Sequence, residues 1–220
     1  MSAASGTRVR LGLLLSGGGR TALNIAAACR SGALEATVAV VLAHREEMPG
    51  VARCREAGLR VAVLPPGPAL RGADLLRPTA YPTPDLLEDR IDAALTAAGV
   101  ELVCLAGYLR KFRVGERWQG RALNIHPGLL PRFGGHGMYG LRIHEAVLAA
   151  GVAETGCTVH EVDEEYDHGP TVLERRCPVL AGDTPSTLAE RVFLEEIRAY
   201  PAAIAAYLPR IRERRDARPE

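Results

Sequence analysis

Val9-Arg10-Leu11-Gly12-Leu13-Leu14-Leu15-Ser16-Gly17-Gly18-Gly19-Arg20-Thr21-Ala22-Leu23-Asn24-Ile25-Ala26-Ala27-Ala28 reads as a strand, a glycine loop and a helix. Val9 to Leu15 alternates and then becomes continuously apolar, as a central parallel strand does when both its faces are covered. The glycines let the chain turn sharply, and Ala22 to Ala28 has helix-forming composition. The first turn of such a helix offers unpaired N–H groups to an anion, and Arg20 adds a charged donor that a plain turn does not need. The spacing is neither G-x-G-x-x-G nor a Walker loop, since no Gly-Lys-Ser/Thr follows. Gly17, Gly18, Gly19, Arg20 and Thr21 are therefore a candidate phosphate-binding loop of a less common type, with a simple turn as the alternative.

Outward from this unit the same alternation continues. Thr37 to Leu42 reads as a strand, Met48 to Gly58 as a helix ending on a glycine, Leu59 to Leu64 as a strand, and 65–84 as a proline- and glycine-rich surface loop. Asp85 to Ala98 places Leu86, Leu87, Ile91, Ala94 and Leu95 on one helical stripe, and Glu101 to Gly107 is again a buried strand. Repeated β-α units predict an α/β fold with a doubly wound, mostly parallel sheet. Past Ala122 to Ile125 the pattern changes. A helix over Ile143 to Ala150 is followed by Thr155 to Val162 and Thr171 to Arg176, read as a hairpin across the acidic turn 163–170, so the C-terminal part is antiparallel. A long helix starts near Pro185 and runs to about Arg198, with helical sequence reaching Leu208. The expectation is one catalytic domain over 1–209, with a phosphate-binding half near 9–107 and a second half near 108–209, and a charged, frayed tail over 210–220.

The 220 residues include 27 basic and 26 acidic side chains, so no global field points to nucleic acid or an anionic membrane, and any anion must be caught locally. Five cysteines without C-x-x-C spacing read as reduced, structural thiols, which fits a cytoplasmic protein. Met1 to Thr7 lacks the apolar run of a signal peptide or anchor. His126, His136, His144, His160 and His168 form no H-E-x-x-H or i, i+4 pair, so no metal site is expected.

The chemistry concentrates in Leu123-Asn124-Ile125-His126-Pro127-Gly128-Leu129-Leu130-Pro131. Asn124 and His126 leave an extended chain by the same face, and Pro127 ends the strand. An amide and an imidazole then sit together at a strand's C-terminal end, where open α/β sheets bind ligands. A neutral amide donates to a developing oxyanion, and a carboxylate near the imidazole raises its pKa; Asp167 is the candidate. No Ser or Cys nucleophile lies beside the pair, which favours direct attack by a bound amine over a covalent enzyme intermediate. A hydrogen-bonded structural Asn/His pair is the plain alternative.

Leu15-Ser16-Gly17-Gly18-Gly19, Leu105-Ala106-Gly107-Tyr108-Leu109-Arg110, Asn124 to Pro131, Gly156-Cys157-Thr158-Val159-His160 with Asp167-His168-Gly169-Pro170, and Val179 to Thr184 occur in this order over nearly the whole chain. In these stretches the chain resembles the formyltetrahydrofolate-dependent formyltransferases, most closely the members that act in purine synthesis. The resemblance implies 10-formyltetrahydrofolate as co-substrate and phosphoribosylglycinamide as amine acceptor, with no metal, in a monomer or homodimer. It implies catalytic roles for Asn124, His126 and Asp167. It places acceptor binding on Gly17 to Thr21 and Glu196, and folate binding on Leu109, Arg110, Lys111, Phe112, Asn124, Asp163, Glu164, Glu165, Tyr166 and Asp167. The chain departs from the family at Gly18 and Arg20-Thr21, where Asn and Ser-Asn are usual, and in the longer, glycine-rich segment 133–141. A basic residue usual near the start of the Asp85 helix has no clear counterpart here. The alternatives are a formyltetrahydrofolate hydrolase, a formyltransferase for another amine, and a non-catalytic nucleotide-binding module.

Overall fold

The computed structural model describes residues 8–65 and 87–217. The expected surface loop from Pro66 to Pro84, Asp85 and Leu86 at the start of the next helix, and the polar segment from Met1 to Thr7 lie outside these residues. Seven strands form one sheet: β1 (Val9–Leu14), β2 (Ala36–Ala43), β3 (Val61–Val63), β4 (Leu102–Leu105), β5 (Ala122–His126), β6 (Glu154–Glu161) and β7 (Thr171–Pro178). Their spatial order is β3-β2-β1-β4-β5-β6-β7. Pairing is parallel from β3 through β5 and antiparallel at β5/β6 and β6/β7, as the sequence pattern predicts. The connections run outward from β1 to β2 and then return to β4. The strand order thus reverses between β1 and β4, which opens a crevice at their C-terminal ends.

Strand residues alternate between two cores. Leu11, Leu13, Leu102 and Cys104 point to one face, beneath α1 (Arg20–Ser31), α2 (Pro49–Glu56), α5 (Leu141–Ala149) and α6 (Pro185–Asp216). Leu14, Val103 and Leu105 point to the other, beneath α3 (Leu87–Ala97) and Trp118 of the one-turn α4 (Gly115–Trp118). This two-sided burial accounts for the continuously apolar strands.

The C-terminus corrects one expectation. Residues 210–216 are helical rather than frayed: α6 spans 32 residues to Asp216, through Pro201 and Pro209. Thr184 and Thr187 exchange hydrogen bonds in a capping box, and Pro185 occupies the first turn, where its missing N–H costs nothing. Interior prolines normally break a helix. Here Tyr200, Ile204, Tyr207, Leu208 and Ile211 are all buried against the sheet, and that packing outweighs the lost backbone bonds. The Tyr200 hydroxyl donates to the carbonyls of Leu123 (2.8 Å) and Leu105 (3.2 Å). Arg210 pairs with Glu161 at 2.6 Å and Arg212 with Glu35 at 2.8 Å, so the charged end is docked.

Candidate active site

On β5, Leu123 and Ile125 enter the core while Asn124 and His126 face the other way, as period-two geometry requires. They meet a cavity of about 500 Å³ along the C-terminal ends of the central strands. Antiparallel pairing sets His160 of β6 directly across from Asn124 and Thr158 across from His126. Asp167 reaches over from the turn after β6, its backbone held at φ 54, in the left-handed region where Asp is enriched among non-glycine residues.

These side chains form one network. Asp167 Oδ2 lies 3.3 Å from His126 Nδ1 and accepts from the Gly135 amide at 3.0 Å. Asp167 Oδ1 lies 3.5 Å from Asn124 Nδ2 and 3.6 Å from His160 Nε2. His160 Nδ1 is 2.8 Å from the Glu161 carbonyl, so that nitrogen is the donor, and Nε2 accepts from Asn124 Nδ2 at 3.1 Å. The Asn124 amide is thereby oriented by a histidine whose part in the site the sequence reading did not foresee. Its signal was present: His160 lies on the alternating strand that pairs with the catalytic one.

The electrostatics correct a second expectation. Burial pushes His126 down, and although Asp167 and the Phe133 carbonyl push it up, the net pKa lies below the ordinary histidine value, not above it. Burial pushes the Asp167 carboxyl up, but the adjacent His160 and His126 rings and the Gly135 amide outweigh it, so its pKa lies below the ordinary carboxylate value. His126 Nε2 is 2.7 Å from the Phe133 carbonyl, so neither ring nitrogen points freely into the cavity. A neutral ring keeps its proton on Nε2 and turns the Nδ1 lone pair to the carboxylate. Any proton gained at Nδ1 enters a charge-assisted hydrogen bond.

Leu109, Arg110, Lys111, Phe112, Asp163, Glu165, Tyr166 and Asp167 line the cavity on one side, and Thr21 and Glu196 reach it from α1 and α6. His136, Met138 and Tyr139 of the glycine-rich segment and Arg142 of α5 also line it. Glu164 is not on the wall; it accepts from the Gly115 amide at 3.3 Å and lies 3.8 Å from Lys111. Gly17, Gly18 and Gly19 are not on it either. The Gly17 carbonyl accepts from the Gly50 amide at 3.1 Å, and a Cβ at Gly50 would stand 2.6 Å from that oxygen. The glycine run thus serves a close backbone approach to α2, with Gly19 at φ 75 capping α1. Arg20 forms a two-pronged ion pair with Glu190 at 2.7 Å and 2.8 Å instead of lining the cavity. Among the described residues no group of three or more His, Cys, Asp and Glu side chains is arranged to hold a metal ion.

Residues 9–204 match the family described as formyl transferase. A chloroplastic phosphoribosylglycinamide formyltransferase of Arabidopsis thaliana is 35% identical over 215 residues, covering 96% of this chain and 70% of its own length. The phosphoribosylglycinamide formyltransferase of Haemophilus influenzae is 31% identical, with 89% and 85% covered. Among solved structures, glycinamide ribonucleotide transformylase 1 of Symbiobacterium toebii superposes with a TM-score of 0.78 at 38% identity, covering 91% of this chain and 88% of that one. A formyltetrahydrofolate deformylase of Pseudomonas syringae, at 18% identity and a TM-score of 0.77, shares the fold. With the match running from β1 into α6, the chain belongs to the formyl transferase family.

Proposed function

We propose that this protein transfers the formyl group of 10-formyltetrahydrofolate to the amine of phosphoribosylglycinamide. The observation that carries the reading is the convergence of Asn124, His126 and Asp167 in a cavity that Thr21 and Glu196 also line. A flat donor fits between the stretch Leu109 to Phe112 and the 163–167 turn, while Thr21, the first-turn amides of α1 and Glu196 hold the acceptor. The acceptor nitrogen forms a bond to the formyl carbon and the carbonyl electron pair moves to oxygen, where the Asn124 amide donates. The proton lost by the amine passes to the Asp167–His126 pair, the cavity-lining carboxylate relaying it to His126 Nδ1 and stabilising the imidazolium. As the carbon–nitrogen bond to the folate breaks, that proton returns to the departing nitrogen.

Turnover of 10-formyltetrahydrofolate with and without phosphoribosylglycinamide tests this. Formylated acceptor is the expected product; water-dependent loss of formate alone would indicate a hydrolase, and no turnover a binding module. Asn124→Ala and His126→Ala should each lower kcat by about two orders of magnitude or more, the usual loss for an oxyanion donor and for a proton-transferring group respectively.

A further inference from the structure

The cation beside the acceptor end of the cavity is already paired. Arg20 opens α1 immediately before Thr21 on the wall, yet its fork is closed on Glu190. Its guanidinium carbon lies 3.6 Å from the centre of the Phe193 ring. Glu190, Phe193 and Glu196 follow one another at intervals of three along α6, so they share one stripe of the helix. That stripe leads from an exposed carboxylate to one in the cavity wall. Glu196 accepts no hydrogen bond from the described residues and feels Arg20 and Glu190 only through their fields. The Glu190 carboxylate occupies the edge of the guanidinium that an incoming phosphate dianion needs, so the dianion binds there only if the guanidinium changes partner.

We propose that Arg20 is a specificity-determining residue with two alternative anionic partners, Glu190 in the free enzyme and the acceptor's phosphate in the complex, so that Glu190 is a built-in competitor. This rests on the phosphorylated-acceptor reading above. The pair is easily exchanged, because its side chains are 49% and 66% exposed and such pairs are weak. A phosphate dianion offers three oxygens and a second charge, and the first turn of α1 adds its amides. Phe193 keeps hold of the guanidinium face while its edge changes anion. An acceptor without the phosphate leaves Arg20 on Glu190.

The test is steady-state kinetics of the full chain, with inorganic phosphate as an inhibitor competing with phosphoribosylglycinamide. Glu190→Gln should lower both the acceptor KM and the phosphate Ki by about two- to five-fold, the worth of an exposed pair, without moving the folate KM or Tm. Arg20→Ala should raise both by about ten-fold or more, the loss of a charged hydrogen bond, and in that background Glu190→Gln should have a smaller effect. A KM that is unchanged or raised in Glu190→Gln overturns the exchange. The same factor in both backgrounds does so too, since it would mark Glu190 as a mere repulsive field. If the wild-type chain formylates the acceptor but phosphate does not compete, the exchange fails while formyl transfer stands; without any formylation both fall.

Discussion

At φ 54 the Asp167 backbone carries strain of about 1–3 kcal/mol, and its carboxylate is aimed at His126 and Asn124 together. A residue that only closed a turn would need the conformation but not the aim. Asp167→Asn keeps the shape and removes the charge. The variant should bind both substrates nearly as before and lose about two orders of magnitude or more in kcat, because the carboxylate is used most when His126 becomes charged. The ring signals of His126, followed by NMR against pH, should titrate lower still in the variant, since Asp167 is one of the groups holding its pKa up against burial. A folded variant with normal turnover, or an unmoved titration, would leave Asp167 as turn chemistry.

At the scale of elements, α6 ties the site to the rest of the fold. Tyr200 bonds the backbone of β4 at its last residue and of β5 at Leu123, and Ile211, two residues past the second proline, is 2% exposed. Ile211→Ala should therefore cost about 2–5 kcal/mol, and at about 2–4 °C per kcal/mol for a chain of this size the melting temperature should drop visibly. A frayed end would show no change on scanning calorimetry. The sequence made the strands legible because each carries its own apolar run, and Asn124 and His126 because they sit two apart before a proline. Helical sequence is legible through Pro201 to Leu208, but nothing in it shows that α6 survives Pro209, since that depends on the sheet beneath it. The Arg20–Glu190 pair is hidden for a related reason: it joins positions 170 residues apart, and no local pattern encodes it. The glycine loop suggested an anion cradle, yet what it approaches is the backbone of Gly50, which only the packing of α2 reveals.

For the whole molecule, buried titratable groups set a dome of stability against pH. Burial pushes His44, His126 and His144 below the ordinary histidine value of about 6.5, so as pH falls below that value the unfolded chain takes up protons that the folded one refuses. Stability is lost in that direction, and further below about pH 4 as Asp167 and Asp183, both held low in the fold, become protonated. Burial pushes all five thiols up, Cys157 to about 12, so above about pH 9 the unfolded thiols ionise while the folded ones keep their protons, and stability is lost again. Glu196 has the opposite slope to the histidines. Burial raises it to about 7, so the fold holds a proton that the unfolded chain releases near the ordinary glutamate value of about 4.3, and its ionisation costs stability as pH rises toward 7. His168, held up by its Asp163 hydrogen bond, acts in the same sense as Glu196, so these two flatten the acid limb that the three buried histidines create. Glu196→Gln removes the glutamate's opposing contribution. Its melting temperature should exceed that of the wild type at pH 8, the two should converge near pH 4, and its acid limb should be steeper. Melting curves from pH 4 to 10 on both proteins check this: a variant parallel to the wild type at every pH would mean that Glu196 ionises in the fold as it does in water, and a Gln variant that gains stability below pH 6 would mean that the buried histidines keep their ordinary titration.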